Sequence, residues 1–268
     1  MYPVNETHST GNLHMFKSDT IRSGNNAKTI KGDGDGFETA IMYLAPFTLS
    51  GFNVCAMAET ASCVAGCLNK AGLGGVYSSI QLARIAKTKR YVADRATFMA
   101  DLVKDIAAFV RYCERKGVKP AVRLNGTSDI QFEVAHPVFL NGERFASIFA
   151  AFPDVQFYDY TKIYKRLYRE LPANYRLVLS YSGANAGYEN AVIKTATETG
   201  ANIAVVYRNK AMRDSLISDL TATHGRIVNR AVIDGDSDDM RFLDPQGVIV
   251  GLYAKGPAKQ DMSGFVVG

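Results

Sequence analysis

The sequence predicts an α/β protein: a partial (βα) barrel, or an open and mostly parallel sheet covered by helices, with a cysteine-bearing loop after the first strand. Three observations carry this. Short Val/Ile/Leu-rich runs recur from residue 39 to residue 253, and several are separated by segments with helical spacing. Parallel neighbours need crossovers of a dozen or more residues, and such alternation supplies them. Each apolar run also leaves into a polar loop. Finally, 268 residues with 47% hydrophobic content and no long polar tract beyond the first thirty positions can bury one good-sized core without staples.

Residues 1–28, rich in Asn, Ser, Thr and Gly, read as a poorly ordered tail or an arm laid over a partner, and 29–268 as a single α/β domain. The turn Lys31–Gly36 precedes a first strand over Thr39–Leu44, stopped by Pro46. The cysteine segment follows at once. Asp94 is a capping residue, and Phe98, Leu102, Ile106, Phe109 and Cys113 recur at helical spacing until Gly117 ends the helix, which puts Cys113 on the buried stripe. Then come the strands of "KPAVRLNGTSDI", "DVQFYDYTK" and "YRLVLSYSGANAG", a helix over Glu189–Thr199, the strand of "NIAVVYRNK" and a helix from Ala211 to Thr221. "RIVNRAVIDGDSDD" and "GVIVGLYAKG" supply two more strands. A total of about seven fits an open or incomplete barrel better than a closed eightfold one.

Ligands of such folds collect at the C-terminal strand ends. Here those ends carry Asn125, Thr127, Ser128 and Asp129; Asp159 and Lys162; Ser180, Ser182 and Asn185; Arg208; and the run Asp234–Asp239. Together they predict one polar rim, although solvated turns use the same residue types for conformational reasons. The acidic run lacks the pattern of a calcium loop and reads as a loop. His136 and His224 have no partner visible in sequence and are not offered as bases.

Cys55, Cys63 and Cys67 are three of the chain's four cysteines, spaced C-x7-C-x3-C. Nothing near Met1 reads as a signal peptide and no long apolar run follows, so a reducing cytosol, with no membrane, is the expected setting. There, clustered cysteines bind metal more often than each other. The spacing lacks the paired knuckles of structural zinc, whose fourth ligand would be Cys113, His136 or His224. Three thiolates with one iron left open point instead to an iron–sulfur cluster, [4Fe–4S] in kind. Core packing is the remaining reading. Gly74 and Gly75 allow backbone to approach a ligand, and the basic stretch "QLARIAKTKRYVADR" suits an anionic ligand or a solvated helix face. With Asn125, Thr127, Asp129, Asp159, Lys162, Ser180, Ser182 and Arg208, the two glycines make the candidate pocket for a small molecule at the cluster. A net charge of +5 with dispersed cations gives nucleic acid little support.

"KTIKGDGDGFETAIMYLAPFTLSGFNVCAMAETASCVAGCLNKAGLGG", "IQLARIAKTKRYVADRATFMADLVKDI", "VRLNGTSDI" and "FYDYTK" resemble a phage- and prophage-borne family, the gene-product-88-like proteins, over about Lys28 to Lys255. The resemblance implies a bacteriophage origin and action in the cytoplasm of an infected bacterium, and brings no activity with it. A weaker likeness, at the level of fold, is to radical S-adenosylmethionine enzymes, which place three cysteines after the first strand of a partial barrel. Their C-x3-C-x2-C is not matched. That likeness implies S-adenosylmethionine as the ligand of the open iron, held near Gly74, Gly75 and Asn125–Asp129. Two readings of function follow: an iron–sulfur enzyme, or a phage binding or regulatory protein with a structural metal cluster that grips a host factor or nucleic acid through Arg84–Arg95. A third reading, a zinc-stabilised hydrolase, is disfavoured because few plausible bases are in view.

Overall fold

The computed structural model describes residue 16 and residues 18–23, 36–134, 136–217 and 230–268. The Lys31 end of the first predicted turn, His224 and the last residues of the helix expected to reach Thr221 lie outside the described residues, as does most of the predicted tail.

The main sheet has eight strands: β1 (Ile21–Arg22), β2 (Phe37–Met42), β3 (Lys119–Arg123), β6 (Gln156–Thr161), β7 (Tyr175–Ser180), β8 (Ile203–Tyr207), β9 (Val232–Asp234) and β10 (Ile249–Tyr253), in the order β1-β2-β3-β6-β7-β8-β10-β9. All neighbours are parallel except β1, which pairs antiparallel with β2, Ile21 opposite Met42. The sheet is open, and its seven parallel strands are those expected from the apolar runs. The antiparallel edge falls within the span expected as a tail: Ile21 is fully buried, and Asp105 accepts hydrogen bonds from the backbone and hydroxyl of Thr20. A two-residue strand carries too little periodicity to be read locally. A small hairpin, β4 (Val138–Leu140) with β5 (Glu143–Phe145), also went unsignalled; it turns at Asn141 and Gly142, both with positive φ.

Helices α1 (Phe47–Ser50), α2 (Leu73–Val76), α3 (Ser78–Ala93), α4 (Arg95–Lys116), α5 (Ile148–Ala151), α6 (Ala186–Thr199) and α7 (Lys210–Ile217) complete the fold. The signals for α4 act as read. The Asp94 carboxylate accepts from the Thr97 N–H at 3.0 Å, and Gly117 ends the helix at φ 68°. Its stripe Phe98, Leu102, Ile106, Phe109 and Cys113 is fully buried against Ala40, Met42, Val122 and Phe157 of the sheet. Helix α6 starts three residues earlier than expected because Asn185 caps it, accepting from the Tyr188 N–H at 2.9 Å.

These two helices pack one face of the sheet. The opposite face receives the alternate residues: Arg123, Tyr158 and Tyr160 on β3 and β6, and a thinner apolar cluster of Val178, Ala204 and Val250. The loop after β9 folds back over it, where Phe242 meets the rings of Phe37 and Tyr158. A parallel sheet helix-covered on both faces would read as continuous hydrophobic runs. Here one face carries tyrosines and a guanidinium, which is why "AVRLN" and "FYDYT" are mixed.

Candidate functional site

The cysteine loop leaves β2 through α1 and lies across the C-terminal strand ends. The Asp129 N–H donates to Val54 O at 2.8 Å, the Cys55 thiol lies 3.8 Å from Thr127 O, and Ser182 Oγ donates to Ala61 O at 2.8 Å. Gly66 is where the loop meets the C-terminal 3₁₀ turn Gly256–Gln260: a Cβ there would stand 3.2 Å from Ala258 Cβ. Ser62 holds a left-handed φ of 51° just before Cys63, a conformation L-residues adopt at a cost and which the surrounding contacts must enforce.

The result is a cavity of about 270 Å³ with Cys55, Cys63 and Cys67 in its lining. All four cysteines are free thiols, and these three are half-buried. Burial pushes the Cys55 thiol well up, helped by the Asp129 carboxylate and by Cys67 and Cys63. Burial also raises Cys67, opposed by the Asn69 backbone N–H and reinforced by Cys63. Lys162 pulls both down. Cys55 and Cys67 thus each feel a neighbouring thiol, Lys162 acts on both, and Lys70 also lowers Cys67. Among the described residues no three His, Cys, Asp or Glu side chains form a group that could hold a metal ion.

Polar strand ends face the thiols. Of the predicted residues, Asn125, Thr127, Asp129, Lys162 and Ser180 line the cavity with the cysteines. Asn125 organises its loop, accepting from Ser128 Oγ and the Ile130 N–H, both at 2.8 Å. Asp129 accepts from the Lys162 N–H at 2.7 Å, Thr161 Oγ1 at 2.9 Å and Arg166 Nη1 at 2.9 Å. Lys162 Nζ donates to Ser180 Oγ at 2.5 Å.

The other predicted residues stand elsewhere. Asp159 is fully buried beneath the site, where it accepts from the Asn125 N–H at 2.7 Å and Tyr175 OH at 3.0 Å; burial pushes its carboxyl up to about 6. Ser182 is buried on the cysteine loop. Arg208 binds C-terminal carbonyls, those of Gly268 at 2.9 Å and Asp261 at 2.5 Å. Gly74 and Gly75 lie against Arg84 and Lys70 O, outside the cavity lining, so the close approach they permit is to the chain itself. His136 is held by Tyr91 OH at 2.9 Å and Val134 O at 2.6 Å, also away from the cavity. Cys113 is buried under α4, and burial with the nearby Glu38 carboxylate pushes its thiol up to about 12.

Among the lining residues not singled out from sequence are Arg123, Tyr253 and Phe265. A charged residue inside an apolar strand is a readable signal for Arg123, whose Nη1 lies 3.1 Å from Asp239. Phe265 arrives through the C-terminal segment and has no local signal. The acidic run is absorbed by ion pairs: Asp234 and Asp236 with Arg213, Asp236 also with Lys255, and Asp239 with Arg123.

Fold and site thus define a class: an open α/β sheet whose helix-poor face and C-terminal strand ends frame a thiol-walled cavity. The family model for gene product 88 matches residues 16–267, and the chain belongs to that phage-type family. No curated protein and no solved structure matches the chain. No helix among the described residues is long and apolar enough to cross a membrane.

Proposed function

We propose that this chain is a phage iron–sulfur protein, and an enzyme, in which Cys55, Cys63 and Cys67 hold a [4Fe–4S] cluster with one iron open to the cavity and to a small-molecule ligand. The observation that carries the reading is that three of the four thiols line one cavity at the strand ends, together with Lys162 and the polar groups of Asn125, Thr127 and Ser180; the carboxylates that share the lining are held by basic groups, Asp129 by Arg166, Asp236 by Arg213 and Lys255, and Asp239 by Arg123. Buried thiols beside Asp129 resist ionisation, and a cationic centre removes that resistance by taking them as thiolates. What favours a cluster over structural zinc is the spacing C-x7-C-x3-C, which lacks the paired knuckles of zinc sites.

When bound, such a cluster supplies the electron chemistry, and the chain supplies position and field. Lys162 offsets anionic charge at the thiol wall and is steered by Ser180. Asp159, reaching Asn125 from below, fixes the loop that presents Thr127, Ser128 and Asp129. The setting this reading calls for is the cytoplasm of the infected bacterium, reducing enough to keep the thiols free.

Iron and acid-labile sulfide analysis of anaerobically purified protein tests it. Brown material with near-equal iron and sulfide, retained by Cys113→Ser and lost in Cys63→Ser, is the expected result. Colourless protein without metal overturns the reading. S-adenosylmethionine as the open-iron ligand is tested by the same preparation: a reduced sample whose spectrum it leaves unchanged excludes it.

A further inference from the structure

We infer that the corner between α2 and α3 is a docking surface for a protein partner that presents an apolar helix face flanked by carboxylates. Leu73, Val76, Tyr77 and Leu82 are 58, 74, 54 and 65% exposed within ten positions of chain. Scattered apolar residues on a surface need no explanation, but a contiguous set this exposed marks an interaction site.

The corner is held rigid from beneath. Asn69, fully buried, donates to Gln81 Oε1 at 2.8 Å; Gln81 Nε2 returns to Asn69 O at 2.8 Å, and Arg84 Nη1 reaches Asn69 Oδ1 at 2.8 Å. A Cβ on Gly74 would lie 2.5 Å from the Arg84 guanidinium, and one on Gly75 would lie 2.2 Å from Lys70 O. The polar clamp and both glycines thus fix α2 in place while its large apolar side chains stay in water. A surface already ordered loses little entropy on binding.

Charge selects the partner. Residues 60–93 contain Lys70, Arg84, Lys87, Lys89 and Arg90 and no acidic residue, with Glu59 and Asp94 just outside. Lys70 and Lys89 are exposed. Lys259, also exposed, is on the 3₁₀ turn whose Gly256 packs on Ala71, the chain neighbour of Lys70. A symmetric contact with a second copy would set these cations against themselves, and exposed aliphatic side chains give nucleic-acid phosphates nothing to bind. An acidic amphipathic helix satisfies both the apolar centre and the basic rim. Leu68, 44% exposed, belongs to the edge of this surface and to the cavity lining, so a docked partner stands at the cavity mouth. The inference holds whether or not the thiols carry iron.

The probe is a synthetic amphipathic helix of about 18 residues, Leu on one face and Glu beside it, long enough to be helical. Titrated against the labelled full chain, it should bind, weaken about tenfold or more in Leu82→Glu and in Val76→Asp, and weaken as salt rises. Both substitutions are at exposed sites, and unchanged circular dichroism controls for folding. The inference is overturned if the peptide fails to bind, if it binds both variants as well as the parent, or if a Lys-for-Glu peptide binds equally. It is also overturned if the surface instead mediates self-association abolished by Leu82→Glu in sedimentation, or binds phosphatidylserine vesicles or single-stranded DNA more tightly than the peptide.

Discussion

Lys162 Nζ donates to Ser180 Oγ at 2.5 Å, joining the ends of β6 and β7 inside the thiol-walled cavity. The ammonium group lowers both Cys55 and Cys67 against the larger effect of burial. Removing its charge should let burial raise both thiols further, with the Asn69 N–H and Lys70 still opposing it at Cys67. Lys162→Met is therefore expected to slow iodoacetamide alkylation of these thiols several-fold at pH 8, because the thiolate is the reacting species. Ser180→Ala keeps the charge and should change the rate much less. Equal rates in Lys162→Met and the parent would show that the ammonium does not govern the thiols.

Arg166 is fully buried and pairs through Nη1 with Asp129 at 2.9 Å and through Nη2 with Glu133 at 2.8 Å, and Nη2 also donates to Tyr175 OH at 2.9 Å. Truncating one partner of a buried pair leaves uncompensated charge, and here two carboxylates are left. Arg166→Met should cost about 3–5 kcal/mol in urea unfolding. Because Asp129 also ties the cysteine loop through Val54, the same variant should expose Cys55 to alkylation before global unfolding. A loss under about 1 kcal/mol would mean the carboxylates find other partners.

The seven parallel strands, their order of appearance and α4 with its cap were legible because each rests on local periodicity or a capping residue, as at Asp94, Gly117 and the run Ile203–Tyr207. The gathering of Asn125, Asp129, Lys162 and Ser180 was legible too, since parallel strands put their exits on one side. Gly74 and Gly75 show where local reading stops: glycine reports a close approach, but only the fold says that the approaching group is Arg84 or Lys70 O. Arg208 likewise reads as a free cation at a strand end, and is used by the chain's own C-terminal carbonyls. Phe265 reaches the cavity only because Val267 bridges to Tyr207, a pairing across sixty positions.

Gly126 sits where β3 leaves the sheet, and its missing side chain is a packing requirement. A Cβ there would lie 2.6 Å from Ile41 Cγ2 and 2.7 Å from Met42 O, with backbone among the obstructing atoms. Gly126→Ala must push β2 and the β3 exit apart, with an expected cost of about 1–3 kcal/mol, the range for overpacking. The control is Gly36→Ala, which meets no atom within 4 Å and bears only the strain of φ 75°. Thermal melts should rank Gly126→Ala below Gly36→Ala. The reverse ranking would show that the strand end yields without cost.

Asp244 supplies a pH signature. Its carboxyl is pushed up to about 6, chiefly by burial, although Arg241 lies 3.3 Å away and works against the rise; Asp238 and Asp239 add to it. Its Oδ2 makes no hydrogen bond, nor do Arg241 Nε and Nη1. The folded chain thus holds a proton on Asp244 at pH values where the unfolded chain, with a carboxyl near 3.9, has released it. Where the folded state binds more protons, stability falls as pH rises, so this group is neutral in effect below about pH 4 and increasingly unfavourable up to about pH 6. Asp244→Asn removes the titration. The difference in unfolding free energy, variant minus parent, should therefore grow by roughly 1–3 kcal/mol between pH 4 and pH 7 and then level off. A difference that stays flat over that interval, or shrinks, would place the folded carboxyl at its ordinary value and give Arg241 the dominant role.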